Sequence, residues 1–379
     1  MKVIYILPIS WGGTPHYSAE LANAVAKYED VTVIKPEDSN DSLFSDEVQL
    51  INAFKPLVLR RGREIGAFSF NNLCNFISYK NIQLVEKLKP DIIHFPSVYL
   101  HTSFFSAIQR LSKRYPLINT EHSVADAYLL NSNERKFIPT LLWRINDISK
   151  YLVKPDRIIV HTQENKNALI ESGILPEKIA VISHGAYTFF KKFEETKTFA
   201  DKNTLLFFGY LYKNKGLEFL LQAIPRVADE IEDLKVIIAG EGDISDYYKY
   251  INDESVYEIY NEYISNNKVA ELFQRCKFLV LPYTYHQGHS GVLATALAFG
   301  KPSIVTNVGN LSDLGKQSVL VVPPKDYNAL ADAIIELFKN NQLRSTLAQN
   351  ANAISHELSW DNIAQKHIQL YEDLINDTK

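Results

Sequence analysis

Short apolar runs alternate with segments of helical period along almost the whole chain, and that alternation leaves few folds open. Runs suited to buried strands are Val3–Leu7, Val31–Ile34, Asp91–Phe95, Leu117–Thr120, Arg157–His161 and Lys178–Ile182. A second series follows at Leu205–Phe208, Lys235–Ala239, Phe278–Leu281, Ser303–Thr306 and Val319–Val322. Between them, Tyr17–Lys27, Asn81–Lys89, Leu217–Ala228 and Ala329–Lys339 place apolar residues at helical spacing. Repeated strand, helix, strand units predict parallel sheets covered by helices on both faces.

With 379 residues, the chain has length for two such domains. The polar, irregular stretch HGAYTFFKKFEETKTFADKN starts at His184, and Thr204–Gly209 then restarts the pattern. The expected class is α/β, with two Rossmann-like doubly wound domains facing a central cleft. Their expected limits are 1–185 and 186–358. The amphipathic last helix, within 359–379, is expected to pack back on the first domain.

A hydrophobic fraction of 46% and a charged fraction of 22% fit a soluble globular protein. Cys74 and Cys276 stand far apart with no CxxC, which argues against a disulfide framework or zinc site and for a reducing compartment. The opening MKVIYILPISWGG reads as a strand entering a loop rather than a signal peptide. No run approaches the roughly 18 apolar residues of a membrane span.

Charge is uneven. Residues 1–185 hold 21 Lys/Arg and 19 Asp/Glu, while 186–379 hold 19 and 25. The first half also carries Arg60, Arg61 and Arg63, and a basic apolar-rich segment from Arg135 to Lys154 that includes Trp143. These fit a solvated surface and a core helix, or a face resting on anionic lipid. No stripe suits nucleic acid.

In open α/β sheets ligands sit beyond the carboxyl ends of strands. The loops of interest are therefore Pro8–Pro15, His94–Leu100, Glu121–Ser123, Gly209–Lys215, Gly240–Asp243 and Pro282–Ser290. The last opens the stretch YTYHQGHSGVLATALAFGKPSIVTNVG, where a glycine-bearing loop runs straight into a small-residue helix. Amides after Ser290 and Gly291 would meet an anion there, and Ser290 also fits a plain N-cap. Gly12 and Gly13 form a second such corner, where backbone can approach a phosphate or simply turn. There is no GxGxxG, which disfavours a nicotinamide dinucleotide fold.

Taken in order, GGTPHYSAELANAV, PDIIHF, TEHS, PDRIIVHTQENKNAL, VISHG, FFGYLYKNKGLEFLLQAI, IIAGEG, NNKVAELFQRCKFLVLPY and SGVLATALAFGKPSIVTNVGNLSDL resemble the retaining glycosyltransferases of family four. The resemblance spans nearly the whole chain. It implies the GT-B fold, a nucleotide-sugar donor on the C-terminal domain, and a glycan or lipid-linked acceptor on the N-terminal one. It also implies no cofactor and no bound metal, and the chain has no Asp-x-Asp. It suggests polysaccharide or glycolipid synthesis in the cytoplasm or, as a peripheral protein, at the inner face of the plasma membrane.

By the same resemblance Lys215 is the phosphate-binding lysine, and His122 lies near the donor sugar and its phosphate. His94 and His184 are strand-end residues of the same kind. Gly12 and Gly13 reach toward the diphosphate, Glu241 toward the nucleotide, and Ile264 meets the base through its backbone. The chain departs from the family at two corners. Tyr210 replaces the usual arginine, and Tyr212 holds the alternative arginine position, leaving Lys213 as a substitute charge. Gln287 and Thr295 stand where most members have two glutamates, as in a subset with HSG- or QSG-like corners. Both can bond hydroxyls, although a helical threonine also bonds its own backbone. A non-catalytic GT-B binding protein, or a related epimerase or phosphorylase, are the competing readings.

Overall fold

A computed structural model describes residues 1–57, 70–122, 124, 153–194, 201–286 and 289–377. Arg60, Arg61, Arg63, Gln287 and the segment from Arg135 through residue 152 lie outside the described residues. Contacts divide the chain into two compact units. The first is Met1–Ser183 with Trp360–Lys379, and the second is His184–Ser359.

The first unit holds seven parallel strands in the order β3-β2-β1-β4-β5-β6-β7. They are β1 Lys2–Ile6, β2 Asp30–Pro36, β3 Val48–Phe54, β4 Ile92–Phe95, β5 Leu117–Glu121, β6 Arg157–Val160 and β7 Ile179–Val181. The second unit holds six, ordered β10-β9-β8-β11-β12-β13. These are β8 Thr204–Phe208, β9 Lys235–Ala239, β10 Tyr257–Tyr260, β11 Phe278–Leu281, β12 Ser303–Thr306 and β13 Val319–Val322. The central strands are buried on both faces because helices cover each side, which is why they read as unbroken apolar runs. In each sheet the order reverses between two neighbours, β1 and β4 in one and β8 and β11 in the other. In open parallel sheets such a reversal, at the strand ends, is where ligands bind.

Two strands were not expected from sequence, β3 and β10. Both lie at sheet edges, where one face meets solvent and the pattern is mixed: VQLINAF exposes Gln49 and Asn52, and YEIY is half-buried throughout. Arg275 fastens the β10 edge, pairing with Glu258 at 2.6 Å and Asp201 at 2.9 Å. Its guanidinium bonds hold the Glu258 carboxyl down at about 2 against the opposing effect of burial.

The helix Trp360–Asp377 belongs to the first unit. Its Trp360, Ile363, Ala364, Ile368, Tyr371 and Leu374 are buried. The Tyr371 hydroxyl lies 3.0 Å from that of Tyr5 and 2.6 Å from His94 Nδ1, so the helix is bonded to the strands β1 and β4 beneath it. Among the described residues no helix is long and apolar enough to cross a membrane.

Removing the Tyr371 hydroxyl leaves buried partners on β1 and β4 with one bond fewer. We expect Tyr371→Phe to cost about 1–3 kcal/mol in urea unfolding. Acid should weaken the same unit. Burial holds His101 and His367 neutral, with values down at about 4, and lowers His94 as well. Each takes up its proton more readily unfolded than folded. The stability they contribute is therefore complete above about pH 6.5 and declines toward pH 4, at on the order of 1.4 kcal/mol per pH unit for each proton. Unfolding midpoints measured across that window check the sign.

Candidate functional site

At the strand-order reversal of the second unit, the loops after β8 and β11 fold onto each other. After β8, Gly209 takes φ +113°, and a short turn over Lys213–Lys215 leads to Gly216 at φ +69°. Gly216 heads the helix Leu217–Glu230. After β11 comes Pro282–Ser290. A Cβ on Gly216 would lie 1.9 Å from the Pro282 carbonyl oxygen, so only glycine lets the loops approach this closely. The Thr284 amide donates to Asn214 O at 2.9 Å, and Asn214 Nδ2 donates to Tyr285 O at 3.2 Å. Thr306 Oγ1 donates to Tyr283 O at 2.6 Å from the next strand, which fixes the second loop from its other side.

Lys215 stands at this junction. It is half-buried, and its Nζ lies 3.8 Å from the centre of the Tyr283 ring. Among the described residues it makes no ion pair. A lysine left without a carboxylate but held over an aromatic face keeps its charge available to a ligand. Lys213 is different: its side chain is 91% exposed and sits 3.8 Å from Asp246, so it points to solvent and an acid rather than taking the missing arginine's place.

The helix Gly291–Ala298 begins where the β11 loop ends. Ser290 is its N-cap, and its Oγ accepts from Leu293 N at 3.3 Å. The amides of Gly291 and Val292 have no protein partner among the described residues. Capping and anion binding are thus compatible here, since the two amides ahead of the capped one remain available. Thr295, expected to face the ligand, is only 3% exposed, and its hydroxyl donates to Gly291 O at 2.9 Å. It is spent inside its own helix.

Tyr210 and Tyr212 form a stacked pair with ring centres 5.5 Å apart and planes 13° from parallel. Burial, then Tyr212, Glu241 and Tyr263 nearby, raise the Tyr210 hydroxyl above its usual range, so it stays neutral. The stack takes the arginine position but supplies ring faces and hydroxyls instead of a charge. Leu211 N donates to Glu241 O at 3.0 Å, tying the β8 loop to the β9 loop, and the Glu241 side chain is exposed. A Cβ on Gly240 would lie 1.9 Å from Gly209 O, so this approach too requires glycine. Ile264 is 7% exposed, its side chain in the core.

On the first unit, Gly12 has φ +74° with open space where a Cβ would stand, and Gly13 is the N-cap of Thr14–Ala26. The preceding loop is pinned by Pro8 O, which accepts from Tyr79 Oη at 2.7 Å and His101 Nε2 at 2.9 Å. His122 follows β5 and is half-buried. Its Nε2 donates to Pro96 O at 2.8 Å, and its Nδ1 lies 3.0 Å from His161 Nε2. Tyr17 packs edge-on against it, ring centres 4.6 Å apart.

His94, read as a strand-end residue of the same kind as His122, is fully buried between Tyr371 and Thr120, at 2.6 and 2.8 Å. Its neutral ring is a core hydrogen-bonding group. His184 is 4% exposed and stacks on His289 with ring centres 5.2 Å apart, both in the second unit. His161 was not singled out from sequence. Its signal was available, because PDIIHF, TEHS and IIVH each end a strand of one sheet with histidine.

Residues 202–340 match the family model described as "Glycosyl transferases group 1", and 11–188 match "Glycosyltransferase Family 4". An uncharacterised glycosyltransferase of Methanocaldococcus jannaschii is 26% identical over 305 residues, covering 75% of each chain. An uncharacterised 41.2 kDa protein of the cps region of Klebsiella pneumoniae is 25% identical over 334 residues, covering 83% of each. Among solved structures, Anabaena HepE in complex with UDP-glucose superposes with a TM-score of 0.70 at 16% identity, over 98% of this chain and 100% of that one. The fold is GT-B.

Substituting Gly216 tests the loop junction. Gly216→Ala adds a Cβ against backbone in a left-handed conformation, and we expect a loss of about 2 kcal/mol or more. A urea midpoint unchanged from wild type would contradict the loop contact described.

Proposed function

Because the chain belongs to the group 1 glycosyltransferases, we propose that it moves a sugar from a nucleotide-diphosphate-sugar to an acceptor hydroxyl with retention at the anomeric carbon. The donor would bind at the strand-order reversal of the second unit and the acceptor on the first. The observation that carries this is Lys215: it is half-buried and without an ion pair among the described residues, on a loop bonded to the one leading into the open amides of Gly291 and Val292. HepE, which shares the fold, was solved with a donor of this class.

In the proposed reaction the bond between the anomeric carbon and the diphosphate oxygen breaks. The leaving oxygen gains charge, and Lys215 and the two amides are set to stabilise it without reorganising. That oxygen takes the acceptor's proton while the acceptor oxygen bonds the same face of the sugar. No covalent enzyme intermediate is formed, and the positive charge a metal would supply comes from Lys215 and the helix start. Tyr210 and Tyr212 serve the nucleotide through ring faces and hydroxyls, together with Glu241 and the backbone near Ile264. Gly12, Gly13 and His122 serve the transferred sugar and its phosphate.

We place the reaction in surface polysaccharide or glycolipid synthesis, on the cytoplasmic side of the membrane. The likeness to a protein of a cps region supports the first. The positive balance of residues 1–185, 21 Lys/Arg to 19 Asp/Glu, supports the second.

Thermal unfolding with UDP, GDP, ADP, CMP and dTDP, beside Lys215→Ala, tests the donor assignment. A ligand at about 100 times its Kd adds roughly 2.7 kcal/mol. We expect one nucleotide to raise the wild-type Tm and the variant to lose most of that shift. No shift with any nucleotide at millimolar concentration would move the chain to the non-catalytic reading that Tyr210, Gln287 and Thr295 motivate.

A further inference from the structure

Between β5 and β6 a run of three hydrogen bonds passes through two imidazoles and ends at a carbonyl on each side. Pro96 O faces His122 Nε2 at 2.8 Å. His122 Nδ1 faces His161 Nε2 at 3.0 Å. His161 Nδ1 faces Ile182 O at 2.9 Å. A carbonyl oxygen only accepts, so both outer ring nitrogens must carry hydrogen. The bond between the rings needs one hydrogen more. Three protons are thus required on four nitrogens, whereas two neutral imidazoles carry two.

We propose that His122 and His161 share this third proton and act as one monocation at the strand ends of the first unit, with His161 as the positioning residue that keeps His122 charged. Either ring can hold the proton while the other accepts, so the charge belongs to the pair. A neutral pair leaves one of the three bonds unmade next to His161, which is only 3% exposed, and water has little access to replace it. His122, half-buried, is the member that presents the charge.

The tyrosine and histidine neighbours of the pair are neutral. Tyr17, from the helix Thr14–Ala26, packs against both rings, and burial raises its hydroxyl well above the usual range. His94 on β4 interacts with His122, and burial first, then the neighbouring histidines, hold it neutral. His367 of the last helix, ring-stacked on His94, is neutral for the same reason. Trp360 closes the far side of Tyr17 without a charge. Glu121 precedes His122 on β5 and is the neighbouring carboxylate. A fixed cation here suits a phosphate-bearing substrate, an inference that rests on the transferase reading above.

The test needs no nucleotide, so its failure is distinct from failure of that reading. The full-length protein labelled with ¹⁵N-histidine is titrated, and its imidazole nitrogens are followed by long-range ¹H–¹⁵N correlation. Single substitutions at His122 and His161 assign them. We expect three of the pair's four nitrogens to carry hydrogen at pH 7, the extra one leaving only as pH rises further. In His161→Leu, His122 should keep only its Nε2 hydrogen at pH 7. One hydrogen on each ring at pH 7 in wild type would overturn the proposal. That spectrum decides alone if the leucine variant does not fold.

Discussion

In the second unit, everything at the strand ends depends on two places where backbone touches backbone. The loop after β8 reaches the loop after β11 at Gly216, where a Cβ would lie 1.9 Å from Pro282 O. The loop after β9 reaches the β8 loop at Gly240, where a Cβ would lie 1.9 Å from Gly209 O. The strand order puts these loops side by side, and glycine lets them close the gap. Closure carries Lys215 onto the Tyr283 ring and stacks Tyr210 on Tyr212. The site is then set by the same contacts that end the sheet, which is how a cation can be preorganised for charge that appears only during reaction.

The first unit reaches a comparable result with histidines. β4, β5 and β6 lie side by side and each ends near an imidazole. Their fates differ because their surroundings do. His94 lies beneath the helix Trp360–Asp377 and is consumed by Tyr371 and Thr120. His122 and His161 bond each other between two carbonyls and are left with a charge to place. One residue type at one position on neighbouring strands thus gives a neutral core link and a cationic pair.

Much of this was readable in the sequence, for a physical reason. Central parallel strands are buried on both faces and show as unbroken apolar runs, so β1, β8, β11 and their corners were plain. β3 and β10 were not, because an edge strand faces solvent and loses the apolar signature. The Lys215 and Ser290 corners were visible since glycine and polar residues punctuate a strand's end. Thr295 had two readings, a contact for ligand hydroxyls by resemblance or a helical threonine bonding its own backbone, and its buried hydroxyl makes the second bond. His161 stayed hidden because its importance lies in a partner 39 residues away on the neighbouring strand.

We propose that the donor's diphosphate rests on the Gly291 and Val292 amides beside the Lys215 loop. Amide chemical shifts of the ¹⁵N-labelled protein, followed as a nucleoside diphosphate is titrated to saturation, test it most directly. The account requires the largest changes at Gly291, Val292 and residues 213–216, with smaller ones at Tyr210 and Glu241. Saturable changes confined elsewhere, for instance around Asp246 and Lys249, with Gly291 and Val292 unmoved, would contradict it.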